Sequence, residues 1–96
     1  MLINKGFTKG DVVSIKLING DEIIARFEQE TTDDITITRP LALTLGGPGG
    51  LGMIPWMFLS SKDEYTLRKN QLFVVAPSKS DAAKQYMQGT TGIALG

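Results

Sequence analysis

The chain contains no cysteine and no histidine. The first absence excludes disulfides, thiol nucleophiles and thiolate metal sites. The second removes the commonest general base and the commonest metal ligand. A serine–histidine triad and a zinc hydrolase are therefore excluded. Charge of one sign is lacking too: ten basic and ten acidic residues cancel over 96 positions, whereas a dedicated nucleic-acid binder usually carries a basic surplus. Attraction to phosphate would have to be local, or built up by repetition in an oligomer. No run approaches the roughly 20 apolar residues that span a bilayer. The opening MLINKGFTKGD has too short an apolar stretch for a secretory signal. The expected address is the cytoplasm, with no membrane partner.

What is present is ordinary for one folded domain with a modest core: 42% hydrophobic and 21% charged residues. The expected organisation is a short N-terminal segment (1–9) whose Phe7 covers one end of a barrel, then a sheet (10–77). A helix (78–89) and a tail (90–96) follow. From Val12 the pattern has period two, with Val13, Ile15 and Leu17 on one face and Ser14 and Lys16 on the other. The return strand places Ile23, Ala25 and Phe27 opposite Glu22, Arg26 and Glu28. Asn19-Gly20 between them is a hairpin signal, because both residues tolerate positive φ. A two-residue loop would set the apolar face of one strand beside the charged face of the other. An odd loop centred on Gly20, pairing Leu17 with Ile23, Ile15 with Ala25 and Val13 with Phe27, keeps one face wholly apolar and is the expected register.

A polar turn at 31–34 precedes an alternating strand, Ile35-Thr-Ile37-Thr. Pro40 then marks an edge or a bulge, after which Leu41, Leu43 and Leu45 resume the alternation. GGPGGLG (46–52) reads as a flexible loop. It lacks the lysine, the Ser/Thr and the following helix of a phosphate-binding loop. MIPWMFL (53–59) and QLFVVA (71–76) are apolar on both sides and read as strands that need cover on both faces, which a subunit interface supplies more readily than one small core. After Pro77, Ser78 or Ser80 is the expected N-cap, with Asp81 in the first turn. Ala82, Ala83, Tyr86 and Met87 form an apolar stripe, and Gly89 is the expected stop. The acidic groups Glu28/Glu30 and Asp33/Asp34 read as a solvated turn rather than a metal or catalytic pair. No catalytic residue, metal site, cofactor or small-molecule substrate is expected, and the chain is not expected to be an enzyme.

VSIKLINGDEIIARF, followed by the polar loop and the third strand (13–37), resembles the first motif of the Sm-like (LSm/Hfq-type) family. LRKNQLFVV, from Leu67 to Val75, resembles the second motif, with Lys69 in place of the motif's glycine. The Gly-rich middle and the AAKQYMQGTTGI ending are similar to the Sm-like proteins of marine cyanophages, which would make the address a host cytoplasm. The resemblance implies a mostly β Sm-like fold: a strongly bent five-stranded antiparallel sheet, an SH3-like open barrel, with a short C-terminal helix. It also implies a homo-oligomeric ring of five to seven subunits, in which the fourth strand of one subunit pairs with the fifth of the next. Here the interface would be Met53, Ile54, Trp56 and Phe58 with Leu72, Phe73, Val74 and Val75. Single-stranded RNA would bind near the pore at the two polar loops, through Thr32, Asp33, Arg68, Lys69 and Asn70, as for an RNA chaperone or regulatory scaffold. Two alternatives stand beside this. Arg68 could pair with Asp33 or Asp34 and merely staple the loops, or the ring could be an oligomeric interaction module without RNA.

Overall fold

The computed structural model describes residues 2–3, 6–45 and 51–90. The fold is mostly β, with one helix at its C-terminal end. Strands β1 (Leu2–Ile3), β2 (Val12–Leu17), β3 (Glu22–Glu30), β4 (Asp34–Leu45), β5 (Leu51–Pro55), β6 (Glu64–Arg68) and β7 (Leu72–Pro77) precede helix α1 (Ser80–Thr90). The expected five strands are thus six of five residues or more, plus the two-residue β1. They form one sheet in the order β1-β7-β2-β3-β4-β5, with β6 also on β4. The pairing is antiparallel throughout except for β1, which runs parallel to β7 at Val74 and Val75. Among the described residues no ladder joins β5 or β6 to β1 or β7, so the sheet does not close.

The first hairpin keeps the expected parity but not the expected pairs. Ile15 faces Ile23 and Val13 faces Ala25, a register two residues away from the pairing of Ile15 with Ala25. The loop has an odd length, three residues (18–20), but it is centred on Asn19 and not on Gly20. Leu17 N donates to Asp21 O and Gly20 N donates to Leu17 O, at 2.8 and 2.9 Å. Gly20, at φ 99°, takes the left-handed conformation that this tight closure needs. Asn19 Oδ1 accepts from Asp21 N at 2.9 Å and steadies the turn. Either odd register buries the same face, so burial alone does not choose between a loop centred on Asn19 and one centred on Gly20.

Two bulges then bend the sheet. Phe27 pairs with Ile37 and Gln29 with Thr36, which leaves Glu28 extra on β3. Ile24 pairs with Leu41 and Arg26 with Thr38, which leaves an extra residue on β4 at Arg39-Pro40. Arg39 sits at φ 49°, the one non-glycine residue at positive φ among those described. Because one residue is inserted there, side chains change face across it. Ile35 and Ile37 point into the core, and beyond the bulge it is Ala42 that packs against the core. Leu41, Leu43 and Leu45 do resume an alternation, but on the opposite face, where Leu43 and Leu45 line a groove with Ile24 and Ala82. The bulge also divides the strand between two partners: Asp34 to Thr38 pair with β6, and Leu41 to Leu45 pair with β5.

The core joins Val13, Ile15, Ile23, Ala25, Phe27, Ile35, Ile37, Leu72 and Val75, all nearly inaccessible. Tyr65 and Leu67 of β6 pack on the same cluster as Leu72 and Val75 of β7, although four ladders separate those strands. The sheet is therefore curled around its own apolar face. Phe7 closes one end, as expected, with its ring 5.6 Å from that of Phe27. Trp56 packs on the same core and meets Tyr65 edge-on at 6.0 Å. The expected strand 53–59 ends early: β5 stops at Pro55, and Met57, Phe58 and Leu59 lie in an exposed connection to β6. Trp56 N donates to Pro40 O at 3.1 Å, after which β6 takes over β4 and leaves β5 no further partner. Of the Gly-rich stretch, 46–50 lie outside the described residues, whereas Leu51 and Gly52 belong to β5. A Cβ at Gly52 would stand 2.5 Å from Thr44 Oγ1, so a larger residue there would have to turn the threonine hydroxyl aside.

Helix α1 covers the outer face. It starts at Ser80, with Ala83 N bonding Lys79 O at 2.8 Å, and runs through Gly89 to Thr90 instead of stopping at Gly89. Ser78 does not cap it: its hydroxyl meets that of Ser14 at 2.8 Å. Tyr86 is fully buried, with Ala82, Ala83 and Met87 partly buried on the same stripe. Its hydroxyl donates to the carbonyls of Thr38 and Arg39, at 3.1 and 2.9 Å. The bulge takes those carbonyls out of the regular ladder, and the helix satisfies them. In return the Arg39 guanidinium donates to the carbonyl of Thr90 in the last turn of the helix. No helix among the described residues is long and apolar enough to cross a membrane.

Burial pushes the Tyr86 phenol up from 10.0 to about 12, against smaller opposing contributions from Arg26 and Arg39. A phenol held protonated by the fold contributes its full stabilisation below the unfolded value near pH 10. That contribution is lost as the pH rises from there through about 12. Alkaline titration of tyrosinate absorbance should therefore show a late component that is absent from Tyr86→Phe. At neutral pH the same substitution should cost about 1–2 kcal/mol in urea denaturation, because two part-buried carbonyls lose their donor. A late component that persists in the variant would contradict this assignment.

Candidate functional site

The polar turn between β3 and β4 is held by its own backbone. Thr31 N donates to Asp34 O at 2.9 Å, and Asp34 N donates to Thr31 Oγ1 at 3.1 Å. Strand β6 runs beside the start of β4 with Arg68 opposite Asp34. The chain then makes a single 3-10 turn at Lys69–Gln71 before β7. Lys69 N donates to Asp33 O at 2.8 Å, and Ile18 N donates to Gln71 O at 3.1 Å. Three loops thus meet at one end of the sheet: 18–20, 31–33 and 69–71. Thr32, Asp33, Arg68, Lys69 and Asn70 all lie there, with Thr32, Asp33, Arg68 and Asn70 exposed. Lysine at 69 is accommodated without strain, since it is not among the residues at positive φ.

Both cations of this end have acidic partners. Arg68 Nε lies 3.4 Å from Asp34 Oδ1, with the arginine side chain 70% exposed. That carboxylate oxygen is buried and receives no hydrogen bond, so the contact is an ion pair of poor directionality. Lys69 Nζ donates to Glu30 Oε2 at 2.8 Å, with only 17% of the lysine side chain exposed. Glu30, Asp33 and Asp34 together outnumber Arg68 and Lys69. The chain by itself therefore presents no positive field here, and phosphate would be met mainly by the outward part of the Arg68 guanidinium. Among the described residues no three acidic side chains gather as a metal would require.

The interface residues expected from the sequence separate into three groups. Leu72 and Val75 belong to the core of the chain itself, at 3% and 1% exposure, and are not free to meet a neighbour. Phe73 and Phe58 are exposed at 67% and 70%, and Ile54 at 39%. Met53, Val74 and Trp56 are partly buried. Trp56 has a place that sequence reasoning missed. With Leu17, Ile18, Asn19, Thr66, Leu67, Arg68, Gln71 and Leu72 it lines a cleft of about 300 Å³. This cleft occupies the gap that the unclosed sheet leaves between β6 and the start of β7. Its one sequence signal is a lone tryptophan directly after Pro55. No protein-family model matches the chain, and a search of curated proteins finds no match.

The two ion pairs should differ in weight. Arg68→Ala should change the unfolding free energy from urea denaturation by no more than about 0.5 kcal/mol, as for an exposed pair. Lys69→Ala, which removes a shielded hydrogen-bonded partner from Glu30, should cost about 1 kcal/mol. Equal effects would show that shielding at this end does not matter.

Proposed function

We propose that the chain is the subunit of an Sm-like homo-oligomeric ring that binds single-stranded RNA at the loop end. The observation that carries this reading is the pairing of Asp34 with Arg68, reinforced by Lys69 N to Asp33 O. It gathers the polar turn of the first motif and the polar turn of the second onto one surface. The strand order supports the fold assignment. Leaving aside β1 and β5, the sheet reads β7-β2-β3-β4-β6, a five-stranded open barrel whose fourth and fifth strands are its two edges. Pairing the β6 edge of one subunit with the β7 edge of the next would build a ring of five to seven subunits. It would also cover Phe73, which a soluble monomer would leave in water. Around such a ring Arg68 recurs once per subunit, which supplies the repetition that zero net charge requires.

A second reading has its own observation. The pairing of Arg68 with Asp34 and of Lys69 with Glu30 is what a loop staple looks like. Met57, Phe58 and Leu59, exposed at 47%, 70% and 100%, would suit a protein partner. In that reading the ring is an interaction module and RNA is irrelevant.

Native mass spectrometry should show a closed oligomer, and Phe73→Asp should shift it toward monomer. Labelled oligo(U) or oligo(A) should bind at low salt. Arg68→Ala should weaken that binding and flatten the salt dependence by about 0.7 in log–log slope for each phosphate left unneutralised. Absence of RNA binding by an intact ring would establish the interaction module instead.

A further inference from the structure

We infer that the cleft between β6 and the start of β7 is a nucleobase pocket, with Trp56 as its stacking wall and Arg68 at its mouth. The inference rests on the RNA-binding reading above and specifies the site and the part of the ligand it takes. A nucleotide is a flat apolar ring with a hydrogen-bonding edge, joined to a phosphate. The cleft offers these features in the matching arrangement. Its interior wall is Leu17, Leu67, Leu72 and the indole of Trp56. Its volume of about 300 Å³ lies at the small end of ligand sites. Trp56 packs on the core and meets the Tyr65 ring, so the indole is fixed in place before any ligand arrives.

The rim supplies the polar groups. Gln71 Nε2 donates to Asn70 Oδ1 at 3.3 Å, which leaves Gln71 Oε1 as an acceptor with no partner among the described residues. Arg68 uses Nε toward Asp34, and its two terminal nitrogens have no partner among the described residues. A cation 70% exposed at the mouth of an apolar cleft suits a phosphate outside and a base inside. Ile18, 59% exposed, extends the apolar wall toward solvent. Duplex RNA keeps its bases stacked and has none to offer, so the pocket selects unpaired nucleotides. Stacking also supplies what this end lacks in charge, since base–aromatic contacts contribute to single-strand affinity without a basic surface.

Trp56 is the single tryptophan of the chain, so its emission reports on this cleft alone. The experiment titrates the intact protein with oligo(U) and oligo(A). It follows tryptophan emission and, in parallel, the anisotropy of the same labelled oligonucleotides. The expected result is quenching with the same midpoint as binding. Trp56→Leu should weaken binding about tenfold, Trp56→Phe should retain most of it, and duplex RNA should give no quenching. Circular dichroism checks that the variants fold, and the wild-type emission needs no variant at all. RNA binding with unchanged emission and unchanged affinity in Trp56→Leu would overturn the pocket and leave the RNA-binding reading standing. An emission that shifts when the protein is diluted but ignores oligonucleotide assigns the cleft to a neighbouring subunit and likewise overturns it. No binding of either oligonucleotide at low salt would overturn both.

Discussion

The structure depends on one irregularity, the extra residue that Arg39-Pro40 inserts into β4. A residue before proline is steered toward extended conformations, yet Arg39 sits at φ 49°. Such a conformation persists only where the surroundings hold it, and here three parts of the chain do. Arg39 N donates to Asp63 O at the entry to β6. The side chain pairs with Asp63 and reaches the end of α1. The two local carbonyls accept from the buried Tyr86 hydroxyl. The bulge thereby decides where β6 begins, where β5 ends and where the helix docks.

Its second effect is geometric. A regular twelve-residue strand would offer one continuous edge to one partner. The bulged β4 offers two shorter edges, and two different strands take them. Shortening the contact with β6 lets the sheet curl until β6 and β7 share a core without sharing a ladder. The space left between them is the cleft beside Trp56. The cleft and the fold therefore have one cause, which is that the sheet is curled tightly enough to approach closure and not to reach it.

That cause explains which features could be read from the sequence. The parity of the first hairpin was legible, because a buried face admits only registers that keep Val13, Ile15, Ile23 and Ala25 together. The centre of its loop was not, since odd loops centred on Asn19 and on Gly20 preserve that parity equally. Pro40 announced a break in β4, but no property of the arginine side chain announces a left-handed backbone. MIPWMFL is apolar throughout, and hydrophobicity alone does not show that the strand stops at Pro55 when β6 takes its partner. The polar loops were legible as turns because turn chemistry is local. The place of Trp56 was not legible, because its cleft is assembled from three segments far apart in sequence. The second loop's Lys69 was legible as a cation, whereas its shielding by Glu30 depends on β3 running alongside.

The two-residue strand β1, laid along β7 at Val74 and Val75, places a condition on anything that binds that edge. An open edge accepts whatever strand drifts past, which is the common route to indiscriminate aggregation. An edge already holding a short tenant accepts only a newcomer that offers more pairing than the tenant gives up. Leu2 and Ile3 hold that stretch of the edge with two residue pairs, so a strand that pairs there must first displace them. A purification tag fused ahead of Met1 would load this tenant directly, so the placement of a tag is itself a variable in any measurement of assembly.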